Sequence, residues 1–141
     1  QLVLTQVDAP TTIRLSVEAG SLHSAVDTLS GQVLLANSPE AERDELLSRR
    51  AEFLRKSAEA RADYLAMLVR MRADGWGYAE NASFIGGRDL SVPVGHAGGR
   101  TRAVLTIASL RGAHAVDSDL FDLLPQLRQC AETIGRIAGI A

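Results

Sequence analysis

Gly86-Gly87-Arg88-Asp89-Leu90-Ser91-Val92-Pro93-Val94 carries the strongest structural signal in the chain. Asp89, Ser91 and Pro93 alternate with Leu90, Val92 and Val94, and a period of two puts each set on its own face of a β-strand. The aliphatic face needs a covering layer, while the polar face can meet water or a small molecule. Downstream, Thr101–Ser109 reads as a second strand, and a suitable register would set Thr106 and Ala108 beside the polar stripe. Between them, Gly95-His96-Ala97-Gly98-Gly99-Arg100 has the glycine content of a hairpin connection. A phosphate cradle of similar composition needs a helix behind it, and here a strand follows.

Upstream, Gly75-Trp76-Gly77-Tyr78 closes a long helical region. Ser38-Pro39-Glu40 has the order of a helix start: hydroxyl, proline, acid. No proline or glycine interrupts residues 40–74, and Ser57 offers a second start, so 39–75 is one helix or two. Its acids and bases match in number, as on a salt-bridged, solvated face. Before it, Ala25, Leu29, Val33 and Ala36, widened by Leu22, Val26, Leu34 and Leu35, predict a mostly buried helix. Residues 1–7 and 11–17 read as a β-hairpin turned at Asp8-Ala9-Pro10. At the other end, Asp117-Ser118-Asp119 caps a helix carrying Leu120, Leu124, Leu127, Ala131, Ile134 and Ala138, with Pro125 kinking it or marking its first turn. The order predicts an α+β fold, with helices packed against an antiparallel sheet.

The 141 residues suit one domain with one real core, and 46% apolar and 23% charged residues are ordinary globular values. A net charge of −2 argues against a chain built to neutralise a phosphate backbone. The single cysteine, Cys130, leaves no disulfide or cysteine zinc site and fits a reducing, cytoplasmic setting. It falls on the apolar side of the last helix, where a buried thiol is expected. No apolar run reaches a membrane-spanning length, and Gln1-Leu2-Val3-Leu4-Thr5 lacks the features of a signal peptide. The chain begins inside a predicted strand without methionine and is read as part of a longer protein.

Catalytic and metal signals are weak. His23 near Ser21, Ser24 and Asp27 is the closest approach to a nucleophile with a base, but no nucleophile-elbow sequence surrounds it. His23, His96 and His114 lack metal-ligand spacing. We therefore expect no catalytic residues, no metal and no cofactor.

Five segments together resemble the C-terminal effector-binding domain of IclR-type transcriptional regulators. Residues 24–36, Ser-Ala-Val-Asp-Thr-Leu-Ser-Gly-Gln-Val-Leu-Leu-Ala, are similar to that family's buried helix, P-L-H-A-T-A-x-G-K-A-L-L-A. Ser38-Pro39-Glu40-Ala41-Glu42-Arg43 follows at the right distance. Arg72-Ala73-Asp74-Gly75-Trp76-Gly77-Tyr78-Ala79 resembles R-x-x-G-[YW]-A. Arg88–Val94 stands where the family has R-C-[IV]-A-[AV]-P-V, and Val104–Ser109 where it has A-L-S-[VI]-S-G.

The resemblance spans nearly the whole of residues 1–141 and implies a GAF-like α+β domain with a curved antiparallel sheet. It also implies a small organic or aromatic effector, self-association as a dimer or tetramer, and DNA contact only through an N-terminal winged helix-turn-helix absent from this chain. No membrane partner is implied. Carried over by position, the effector contacts are Asp89 in place of cysteine, Thr106 and Ala108 in place of two serines, Thr28 on the buried helix, and Glu80 near the family's acidic contact. Ser91 belongs to the same stripe, and Phe84, Leu22 and Trp76 are the expected apolar walls. An ionised Asp89 would repel a ligand carboxylate. The expected effector is therefore larger, neutral or amine-bearing, or holds its acid group away from Asp89. The alternatives are an oligomerisation module with a vestigial pocket and a small hydrolase-like enzyme.

Overall fold

The computed structural model describes residues 1–8, 10, 17–81, 86–95, 101–110 and 120–140. Its elements run α1 (Leu29–Ala36), α2 (Glu40–Leu47), α3 (Ala51–Leu54), α4 (Ala58–Asp74), β1 (Gly77–Asn81), β2 (Gly87–Val94), β3 (Ala103–Leu110), a 3-10 turn (Leu120–Leu123) and α5 (Leu124–Ile137). The strands form an antiparallel sheet in the order β1-β2-β3. Gly95, at φ 75°, follows β2, and β2 and β3 pair antiparallel as a hairpin requires, while residues 96–100 of the glycine-rich connection lie outside the described residues.

The sheet packs against α5 on one face and against α1 over part of the other, and alternation along its strands supplies each layer. Leu90, Val92 and Val94 are 0–2% exposed and pack with Leu120, Leu127 and Ala131 of the 3-10 turn and α5. On the reverse side, Ala79 and Val104 join a second cluster built from Val26, Leu29, Val33, Tyr64, Leu68 and Met71. Burying a large aliphatic side chain stabilises by roughly 1.5–3 kcal/mol, so these two clusters hold the layers together.

α4 has the clearest punctuation. The Ser57 side chain accepts from Ala60 N at 3.1 Å, and Gly75 at φ 71° ends the helix in the left-handed region, its N–H donating to Met71 O. Tyr64, Leu68 and Met71 recur at spacings of four and three and form its buried stripe. The Tyr64 hydroxyl donates to Val26 O at 3.1 Å, and its ring meets Phe53 at 5.6 Å.

Three local expectations are corrected. Residues 39–75 form three helices, not one or two. Leu47 and Phe53, six residues apart, would stand about 120° apart around a single helix. The break lets both reach one core, where they are 2% and 8% exposed. Ser38 does not cap α2: its hydroxyl donates to Leu34 O, and Pro39 occupies the cap position without a side-chain bond. The helix predicted around residues 22–36 begins only at Leu29, because the Thr28 side chain accepts from Gly31 N and stops it there. Residues 1–3 pair antiparallel with 20–23 through Val3 N to Ser21 O, Gly20 N to Val3 O and His23 N to Gln1 O. The predicted partner strand falls mainly on residues 11–16, outside the described residues, as does the predicted cap at Asp117-Ser118-Asp119. Pro125 does lie in the first turn of α5.

Two glycines let α1 sit where it does. A Cβ on Gly77 would stand 2.9 Å from Val33 Cγ2 and 3.0 Å from Leu29 Cδ1, so the bare strand admits the helix. A Cβ on Gly31 would lie 2.4 Å from Ala25 Cα, where the preceding turn folds back.

Candidate functional site

The register assigns side chains to faces without ambiguity, since directly paired residues point the same way. On the α1 side, Ala79, Asp89 and Ala108 form one row, Gly77, Ser91 and Thr106 the next, and Pro93 with Val104 a third. The polar stripe read from the sequence therefore exists, with Thr106 and Ala108 in register beside it. α1 covers only part of this floor. Ser91 is fully buried, while Thr106 and Ala108 are exposed and Asp89 is half-buried with Oδ1 shielded from solvent. Ser91 Oγ and Thr106 Oγ1 share a 2.8 Å hydrogen bond across the two strands.

Chemically, this floor offers a carboxylate between two methyl groups. Within its row nothing larger than alanine flanks Asp89 on either neighbouring strand. Thr106 adds a hydroxyl at an exposed position, already oriented by its bond to Ser91.

Other expected contacts are placed elsewhere. Trp76 precedes β1 on the opposite side of the sheet, edge-on to Phe121 at 5.2 Å in the α5 cluster. Glu80 pairs with Arg88, one residue out of phase with Asp89, and so also faces the α5 side. Leu22 is 78% exposed in an isolated bridge with Leu2. Thr28 is the α1 N-cap: its hydroxyl donates to Ser24 O and accepts from Gly31 N and Gln1 Nε2. Phe84 lies outside the described residues. The structure thus groups Asp89, Ser91, Thr106 and Ala108 on one side and sends Trp76 and Glu80 to the other. Alternation along β1 was the signal for this separation, since Trp76, Tyr78 and Glu80 share one parity. Cys130 is exposed, not buried.

The nucleophile–base candidate is also resolved. Ser21 Oγ lies 2.9 Å from His23 Nε2, but the serine hydroxyl donates to Glu18 O at 2.6 Å. The imidazole then serves as donor to that oxygen, the reverse of a general base. His96 and His114 lie outside the described residues. Among the described residues no cluster of three or more His, Cys, Asp or Glu side chains could hold a metal ion.

Residues 1–136 match the family model described as bacterial transcriptional regulator IclR C-terminal. The chain belongs to the IclR family. The resemblance seen in the five sequence segments is therefore shown, and it is a resemblance to transcriptional regulators rather than enzymes. Solved structures agree. A putative transcriptional regulator from Rhodococcus sp. RHA1 shares 28% identity at a TM-score of 0.75, covering 92% of this chain and 54% of its own. An IclR transcriptional regulator from Alicyclobacillus acidocaldarius gives a TM-score of 0.78 at 17% identity, over 96% of this chain and 54% of its own. The Thermotoga maritima IclR gives 0.72 at 21% identity, over 94% and 54%. The last two show the fold, which is the GAF-like α+β fold expected of an IclR-type domain. This IclR-type chain spans about half the length of each of these structures. No curated protein matches it.

Proposed function

We propose that this IclR-type domain senses a small molecule on the α1 face of its sheet and passes occupancy to a DNA-binding module through rearrangement of a homodimer or homotetramer. The row Ala79–Asp89–Ala108 beside the Ser91–Thr106 pair carries the reading. A half-buried carboxylate with methyl neighbours favours a ligand that brings a hydrogen-bond donor, so the effector is neutral or amine-bearing. Thr106 supplies a second polar contact and Ala108 leaves room. Thr28 acts indirectly, by fixing where α1 begins above the floor. Regulation follows from differential binding: a ligand that fits one arrangement of the assembly better shifts the population toward it and changes operator affinity. The setting is cytoplasmic, in keeping with a DNA partner, and among the described residues no helix is long and apolar enough to cross a membrane.

Thermal-shift screening of wild-type protein against amine-bearing, neutral and acidic metabolites tests this, with Asp89→Ala as the comparison. Stabilisation by donor-bearing compounds that Asp89→Ala loses is the expected result. Equal stabilisation of both proteins would remove Asp89 from the site. A specific observation favours a second reading, an oligomerisation module with a vestigial pocket: α5 leaves Ile134 43% and Ile137 81% exposed. A stable dimer or tetramer in native mass spectrometry, with no stabilising compound in the library, would support that reading.

A further inference from the structure

On the α5 side of the sheet, one row of the register sets Glu80, Arg88 and Ser109 side by side on β1, β2 and β3. It adjoins the row of Tyr78, Leu90 and Ile107, in which Leu90 is fully buried. Arg88 and Ser109 are half-buried, and Arg88 Nε and Ser109 Oγ are shielded from solvent without a hydrogen-bond partner among the described residues. Arg88 and Glu80 are direct cross-strand neighbours, yet among the described residues they form no ion pair. Glu80 is exposed.

A buried donor left unpaired costs about 1–3 kcal/mol, and native proteins hold few of them. Two in adjacent positions of one row call for a shared partner. Arginine Nε–H can only donate and a serine hydroxyl can donate too, so the partner is an acceptor with more than one lone pair. A guanidinium favours that acceptor as an anion, and the apolar row beside it strengthens the attraction.

We propose that Arg88 and Ser109 form an oxyanion site that takes the carboxylate or phosphate group of a small molecule. Arg88 supplies the charge and a directed N–H, and Ser109 supplies a second donor. Glu80, next in the row, opposes an anion and sets a limit on affinity. The site lies on the opposite face from Asp89 and is independent of the effector reading.

The test follows the Arg88 Nε–H signal and the backbone amides of residues 87–89 and 109 by 15N NMR. Sodium acetate and inorganic phosphate are titrated separately into the 141-residue protein at constant ionic strength. A saturable shift with acetate alone assigns a carboxylate, with phosphate alone a phosphate ester, and with both an unselective oxyanion site. Arg88→Lys and Ser109→Ala should weaken binding tenfold or more and severalfold, and Glu80→Gln should tighten it severalfold. No saturable shift with either anion in the wild-type protein overturns the proposal, whether or not the variants fold. So does binding that Arg88→Lys leaves unchanged, or that Glu80→Gln fails to tighten.

Discussion

Ser91 and Thr106 share a hydrogen bond of 2.8 Å although one is fully buried and the other exposed. The pair marks the boundary where α1 stops covering the sheet, and Thr106 holds the Ser91 hydroxyl satisfied from the open side. Thr106→Val keeps the shape but strands that hydroxyl, and should lower unfolding free energy by about 1–3 kcal/mol. Thr106→Ser should stay near wild type. Urea denaturation of both variants makes the comparison, and equal stability would mean that the bond contributes nothing.

The contact of α1 with β1 leaves no room for a methyl group at Gly77. Overpacking of this kind typically costs about 1–3 kcal/mol. Gly77→Ala should therefore destabilise by that order, and adding Val33→Ala should recover part of the loss in a double-mutant cycle. Strict additivity would indicate that the helix and strand move apart freely.

Tyr64 couples stability to alkaline pH. Burial, reinforced by the Asp27 carboxylate, pushes its phenol well above the ordinary value of 10.0. The fold thus prefers the neutral phenol: that preference is fully present below about pH 10 and is lost as pH rises through the higher folded-state value. Tyr64→Phe should cost about 1 kcal/mol at neutral pH through the lost bond to Val26 O. It should also flatten the alkaline decline, as read from denaturation midpoints across pH.

α5 separates core from surface within a few residues. Leu127 is 4% exposed, whereas Ile137 is 81% exposed. Leu127→Ala should cost about 2–5 kcal/mol, and Ile137→Ala should stay within about 0.5 kcal/mol of wild type in dilute monomer. Cys130 should react with a thiol reagent before denaturant is added. A thiol protected until unfolding would contradict the orientation of the helix.

Alternation made β2 and β3 legible, because a two-residue period reports burial directly. The same rule, applied to β1, separates Glu80 and Trp76 from Asp89; motif position along the chain had grouped them. For α5, heptad-like spacing could not tell which of several apolar positions the sheet would cover. The buried line is Leu127, Ala131 and Gly135. Cys130 and Ile134 stand to one side of that line and are left exposed.

From its residues alone, the chain determined its class, the strands β2 and β3, the C-terminal end of α4 and its family, since periodicity, caps and ordered motifs are local properties. Three things were decided only by tertiary packing: the division of residues 39–75, the sealing of Ser91 beneath α1, and the placing of Arg88 beside Ser109. Each depends on which distant surfaces meet, and contact between residues far apart in the chain leaves no mark on the local pattern of either.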